Sequence, residues 1–258
     1  MDDQVERLAN KAWTKFQTLD ASQRLLIAIA GIPGSGKSTL AALVVRAINK
    51  LYHDDFSRRH PNLPHGSQPN LAIAVPLDGY HLTRQQLAEM ANADEAIFRR
   101  GAAFTFDSNG YCQLVRRVRA PLEATTATIY APSFDHAIKD PVAMDIGIPP
   151  TARIVVFEGL YVALDREGWR DAAELMDELW FLDVAIAVAA ERVAQRNYAA
   201  GISGSLEESR ARAEASDMRN GREILAERLD VQELIQSVED EKQRLDSITE
   251  LAQAGAGW

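Results

Sequence analysis

"LLIAIAGIPGSGKSTLAALVV", residues 25–45, runs from unbroken hydrophobics through three glycines and a lysine, then back into hydrophobics. Residues 25–30 have the apolar continuity of a strand buried on both faces of a parallel sheet. From Lys37 to residue 49, Leu40, Leu43, Val44 and Ala47 recur on one side, which predicts a helix. Between the two, Gly31, Ile32, Pro33, Gly34, Ser35, Gly36, Lys37, Ser38 and Thr39 carry the spacing G-x-x-x-x-G-K-[ST]. That loop wraps polyphosphate. Glycine, without a side chain, lets bare backbone N–H groups come close to an anion. A dinucleotide fingerprint fits less well, because Thr39 stands where its third glycine belongs. Strand, glycine loop and helix N-terminus in this order predict a nucleoside-triphosphate site.

The remaining composition is that of an ordinary globular chain of 258 residues, 47% hydrophobic and 25% charged. A net charge of −9 disfavours broad binding to nucleic acid or an anionic membrane. Cys112 is the single cysteine, which excludes an intrachain disulfide and a Cys-rich zinc site and leaves it the part of a small apolar filler. The first residues, MDDQVERLANKAW, lack a signal-type apolar core, and no run approaches the ~20 apolar residues that span a bilayer. A cytoplasmic monomer or homodimer is the expectation, with a small molecule rather than a nucleic acid or membrane as partner.

Outward from the loop, Val5, Leu8, Ala9, Ala12, Trp13 and Phe16 mark one face of a first helix, residues 1–24 forming an N-terminal element packed on the core. Residues 53–70, polar and rich in proline and holding three of the five histidines, read as an exposed loop whose spacing matches no metal motif. A second strand over 71–77 ends at Asp78. Residues 83–120 read as mainly helical, with Asp107 as an N-cap. Residues 125–130 are β-rich, and 131–150 read as an excursion punctuated by prolines. Strands at 153–157 and 179–184 follow, then helices from about Ala185 and near Leu206. Residues 231–238 fit a last strand or a helix, and 239–258 a helical tail. Strands separated by helices predict a three-layer α/β fold with a mainly parallel sheet over residues 25–238, together with a helical lid at about 192–210.

Parallel sheets bind ligands at the carboxyl ends of their strands. "AIAVPLDGYH" puts Asp78 at such an end, and "IVVFEGLYVAL" does the same for Glu158. Singly, Asp78 also reads as a cap or turn residue and Glu158 as half of an ion pair. Beside a phosphate loop they match the two acids that phosphoryl transfer to a hydroxyl requires. Ser38 and Glu158 suit Mg2+ bridging the β- and γ-oxygens of ATP, and Asp78 suits the group that orients the hydroxyl and takes its proton. Arg192 and Arg196 lie four apart on one helix face before Gly201-Ile202-Ser203-Gly204. They read either as catalytic cations on a flap that closes over the phosphate or as a solvated face paired with Glu207 and Glu208. Arg99 and Arg100 read either as ligands of an acidic group on the acceptor or as solvated helix charges.

The phosphate loop, "LDGYH" (77–81), "YAPSFDH" (130–136) and "FEGLY" (157–161) occur in an order that resembles the uridine kinase, phosphoribulokinase and bacterial pantothenate kinase superfamily of P-loop kinases. The chain is most similar to nucleoside/nucleotide-kinase-like and fructose-transport-kinase-like members, in which strings such as "MDGFH", "KGAPxTFD" and "YAPSFDR" recur. The likeness runs from about Leu25 to about Leu225, with Ala102-Ala103 in "RRGAAFTFD" where relatives tend to have Ala-Pro. It implies ATP as donor, Mg2+ as cofactor and a metabolite hydroxyl as acceptor, whether nucleoside, sugar or pantothenate-like vitamin. It implies Asp78 as base and Glu158 near the metal, and it places Tyr80, His81, Tyr130 and His136 around the acceptor, to which the residue reading adds Arg100. The competing reading is a regulatory P-loop ATPase or a binding module with no small acceptor. The Asn-Lys-x-Asp of guanine switches and the Ser-Gly-Gly-Gln of transporter ATPases are both absent.

Overall fold

A computed structural model describes residues 2–64 and 68–238. Helix α1 (Asp2–Phe16) precedes the central strand β1 (Leu25–Gly31), and the phosphate loop joins β1 to α2 (Lys37–Arg59). Strand β2 (Ala72–Pro76) follows, then the short helices α3 (Arg84–Ala88) and α4 (Ala93–Phe98) and the longer α5 (Ser108–Arg119). The hairpin strands β3 (Ile129–Asp135) and β4 (Asp140–Ile148) lead to β5 (Ile154–Gly159), α6 (Trp169–Ala173) and β6 (Glu178–Asp183). Helices α7 (Ile186–Ala199), α8 (Leu206–Arg212) and α9 (Met218–Glu227) and strand β7 (Glu233–Gln236) complete the described chain. A π-helical turn, Ala213–Asp217, joins α8 to α9.

The main sheet has the order β2-β5-β1-β6-β7, with every pairing parallel. Strand β1 alternates its side chains between two cores. Leu26, Ala28 and Ala30 face the side covered by α5, α6, α7 and α9, while Leu25, Ile27 and Ile29 face α1 and α2. The expected three layers follow directly from this two-sided burial. Cys112 lies buried in the first of these cores.

One expectation from the sequence needs correction and another gains detail. Residues 53–59 are not loop: α2 continues through them to Arg59. No proline interrupts the helix before Pro61, and its polar side chains pair along the axis, Lys50 with Asp54 at 2.5 Å and Arg58 and Arg59 with Asp55. His53 is bound to Asn70 and Gln68, and no cluster of three metal-capable side chains occurs among the described residues. The proline-punctuated excursion over 131–150 takes a regular form, since β3 and β4 pair antiparallel as a separate ribbon. Its prolines are tolerated because Pro132 sits at a register shift and a two-stranded ribbon is all edge. Residues 233–236 form a strand, and the expected helical tail at 239–258 lies outside the described residues.

Candidate active site

The glycines of the loop answer to local geometry. Gly34 and Gly36 have φ of 78° and 98°, which L side chains rarely adopt. A Cβ on Gly31 would lie 2.7 Å from Ser35 Oγ, and one on Gly34 would lie 2.5 Å from the Ala189 carbonyl oxygen on α7. Helix α2 begins directly after Gly36 with no side-chain cap and no acid in its first turn. Its first N–H groups are thereby left for an anion, where the helix dipole is positive. Lys37 is buried and folds back to donate to the Ile32 carbonyl at 3.1 Å. Burial lowers its ammonium pKa to about 8 against the opposing pull of Glu158 and Asp78.

The parallel register aligns the acids. Pro76 on β2 lies opposite Glu158 on β5, and Glu158 lies opposite Ile29 on β1, two residues before the loop. The chain after β2 turns at once into a 3-10 turn, Leu77–Tyr80, that carries Asp78. Gly159 permits this, since a Cβ there would meet Leu77 Cβ at 2.3 Å. Ser38 Oγ donates to Glu158 Oε1 at 2.9 Å. Glu158 is buried, and desolvation raises its pKa, with Asp78 pushing the same way and Lys37 opposing. Lys37, Ser38, Glu158 and Asp78 thus form one electrostatic cluster at the mouth of the loop.

The hairpin packs over the Asp78 turn. A Cβ on Gly79 would fall 2.1 Å from the Pro132 carbonyl oxygen. His81 Nδ1 lies 2.8 Å from the Asp78 carbonyl oxygen, which only accepts, so Nδ1 carries the proton. Burial holds this imidazole below its ordinary pKa, which leaves Nε2 as a hydrogen-bond acceptor. The His81 ring stacks on Phe106 at 3.9 Å and lies 4.9 Å from Phe134, which in turn contacts His136 at 5.2 Å. Tyr130 is exposed, opposite Gly147 on the ribbon.

Tyr80 does not join this group. Its ring is buried in the core edge-on to Tyr111, because the 3-10 turn repeats every three residues and puts Tyr80 on the same inward face as Leu77. Arg100 is no free anion ligand: it donates to Asp140 and to the Leu82 carbonyl, each at 2.9 Å, and to the Lys139 carbonyl, and so ties the hairpin to the segment after Asp78. Arg99 is buried against Asn220, at 2.6 Å, and Glu223. Neither arginine is the solvated helix charge that the sequence allowed. Arg192 donates to the Gly34 carbonyl at 3.3 Å and to Ser237 Oγ at 2.9 Å. Arg196, one turn on, bears electrostatically on both Lys37 and Asp217. Glu208 caps its own turn by accepting from Gly204 N, rather than pairing with these arginines. Sequence reasoning missed Phe106, Phe134, Asp140 and Ser237, of which Phe106 lies within "RRGAAFTFD" and Phe134 within "YAPSFDH".

Residues 26–201 match the Phosphoribulokinase / Uridine kinase family. The chain belongs to that family. It is 37% identical over 215 residues to a Schizosaccharomyces pombe protein provisionally named a uridine kinase, covering 83% of each chain. It is 47% identical over 159 residues to the ATP-dependent kinase-like protein notR' of Aspergillus versicolor, covering 62% of this chain and 92% of that one. A crystal structure from Silicibacter sp. TM1040, provisionally titled a fructose transport system kinase, superposes with a TM-score of 0.71 at 30% identity over 88% of this chain and 98% of that one. The family fixes the chain as a P-loop kinase, a phosphotransferase class that uses ATP and usually Mg2+. The residues fit both groups: an uncapped helix N-terminus with a buried lysine for phosphate, and a serine–carboxylate pair beside it for the metal. Among the described residues, no helix of this family member is long and apolar enough to cross a membrane.

Proposed function

We propose that the chain transfers the γ-phosphoryl group of ATP to a hydroxyl of a small metabolite. The observation that carries this reading is the meeting of Asp78, Glu158 and Lys37 at the mouth of the phosphate loop. Lys37 and the first N–H groups of α2 hold the phosphates and offset the charge that develops on them. Ser38 and Glu158 would hold Mg2+, which when bound would neutralise phosphate charge. Asp78 orients the acceptor hydroxyl and takes its proton as the new P–O bond forms and the bond to the β-phosphate oxygen breaks, releasing ADP. Arg192 and Arg196 supply cations on the α7 side, and water exclusion falls to the segment around Gly201.

On the acceptor side, the His81 lone pair at Nε2 accepts from a donor group of the substrate, with Phe134 and His136 flanking it. Arg100 is already neutralised by Asp140, so an acidic group on the acceptor gains nothing there. This favours an uncharged nucleoside or sugar over a sugar phosphate or a carboxylate-bearing vitamin. The test is ADP release measured against nucleosides, sugars, sugar phosphates and pantothenate, one at a time. Stimulation by a hydroxyl compound supports the reading. ATP hydrolysis at one rate with every compound and with none overturns it in favour of an ATPase.

A further inference from the structure

The phosphate loop is tethered from outside by a residue far away in sequence. Ser237, one residue past β7, donates from Oγ to the Ser35 carbonyl at 2.9 Å and accepts from Arg192 Nη1 at 2.9 Å. Its own N–H donates to the Asp183 carbonyl at the end of β6, at 2.8 Å. The same Arg192 nitrogen reaches the Gly34 carbonyl at 3.3 Å. Two consecutive carbonyls of the loop are thus held by one serine and one arginine.

A planar trans peptide points its C=O and its following N–H in opposite directions. The 34–35 peptide is pinned on both sides, since Ser35 N also donates to the Ile32 carbonyl at 3.2 Å. Among the described residues, the 35–36 peptide is pinned only from outside, through Ser237. With the Ser35 carbonyl drawn outward, the Gly36 N–H must point inward to the phosphate cradle. Gly36 needs this constraint more than other residues, because glycine at φ 98° has no Cβ to restrict it.

We infer that Ser237 is a positioning residue for nucleotide binding, turning the Ser35–Gly36 peptide so that the Gly36 N–H faces the phosphates. Arg192 is then a brace of the loop as well as a cation near it. The inference rests on the loop binding nucleotide and is independent of which hydroxyl accepts the phosphoryl group.

The test uses the full chain and ADP with Mg2+, without an acceptor. Calorimetry should show Ser237→Ala binding ADP about three- to tenfold more weakly than wild type, the scale of one lost hydrogen bond. Ser237→Thr, which keeps the hydroxyl, should restore the affinity. In 15N–1H spectra the Gly36 amide proton should move downfield on ADP addition in wild type and Ser237→Thr, and move less in Ser237→Ala. A general loss of packing would lower Tm without this selective change. Equal ADP affinity in wild type and Ser237→Ala overturns the inference, as does Ser237→Thr binding as weakly as Ser237→Ala. Absence of ADP binding by the wild type overturns it together with the nucleotide site itself.

Discussion

Ser38 on the first turn of α2 and Glu158 at the end of β5 share a 2.9 Å hydrogen bond across 120 residues of sequence. The bond joins helix N-terminus to strand end and holds two oxygen ligands side by side, the arrangement that suits a hard divalent cation. Glu158→Gln keeps the shape and removes the charge. The Mg2+ concentration needed for half-maximal turnover should rise, or turnover fall, by about tenfold or more. Tm should hold or rise slightly, because burial already disfavours this carboxylate. Titration of activity with Mg2+ beside a melting curve checks both.

Asp78 stands on a turn fixed between Gly159 and the hairpin, so its replacement should leave the fold and the phosphate loop untouched. Asp78→Asn should bind ADP as wild type does and lose transfer to the acceptor by roughly 10²-fold or more, the range of acid–base loss. Full acceptor stimulation in the variant would make Asp78 a turn residue.

Lys37 predicts a pH dependence of a stated sign. With its pKa lowered to about 8 by burial, the ammonium is largely charged at pH 7 and largely neutral at pH 9. Phosphate binds the charged form and raises its pKa. ADP affinity should therefore be flat below about pH 8 and weaken as pH rises above it, with net proton uptake on binding near pH 8. Calorimetry in buffers of different ionisation enthalpy measures that uptake. Lys37→Ala should abolish both the uptake and the pH trend, and lower turnover on the order of 10²-fold or more.

The Arg196 charge is felt at both Lys37 and Asp217. Arg196→Ala should lower kcat by about 10-fold or more while KM for the acceptor changes little, since its charge is needed most where phosphate charge redistributes. A proportional rise in acceptor KM with kcat intact would assign Arg196 to substrate binding instead.

Gly79 admits the hairpin to within contact of the Asp78 turn. A methyl at this position would press on the Pro132 carbonyl at 2.1 Å. Gly79→Ala should destabilise the fold by about 1–3 kcal/mol, the usual penalty of overpacking. A Tm drop with ADP affinity preserved is the expected pair of readings.

Much of this was legible in the sequence where the signal was local. The strand–loop–helix run appeared at residues 25–45, and Asp107 does cap α5, accepting from Gly110 N at 2.8 Å. The Asp78 and Glu158 strand ends were visible because buried parallel strands are apolar until they stop. What stayed hidden depended on partners far away or on compensation. The end of α2 looks like loop until Asp54 and Asp55 are paired with their basic neighbours. The 131–150 ribbon hides behind prolines that an edge tolerates. Tyr80 and His81 are adjacent, and only the 3-10 turn decides that one enters the core and the other faces the hairpin. Ser237 carries no motif, and its meaning lies entirely in the loop some two hundred positions earlier.

Strand β7 has a consequence for the order of biosynthesis. Its Glu233 accepts from Arg7 and Lys11 on α1, at separations of 226 and 222 residues, and Ser237 reaches back 202 residues to the phosphate loop. At synthesis rates of roughly 5–20 residues per second, about 10–40 s pass between the emergence of the loop and that of this tether. Throughout that interval the nascent chain already contains the glycines, Lys37 and Ser38, yet neither its first helix nor its loop has met the strand that secures them. The edge of the sheet, rather than its centre, therefore sets the moment at which a newly made chain can secure its phosphate loop through Ser237.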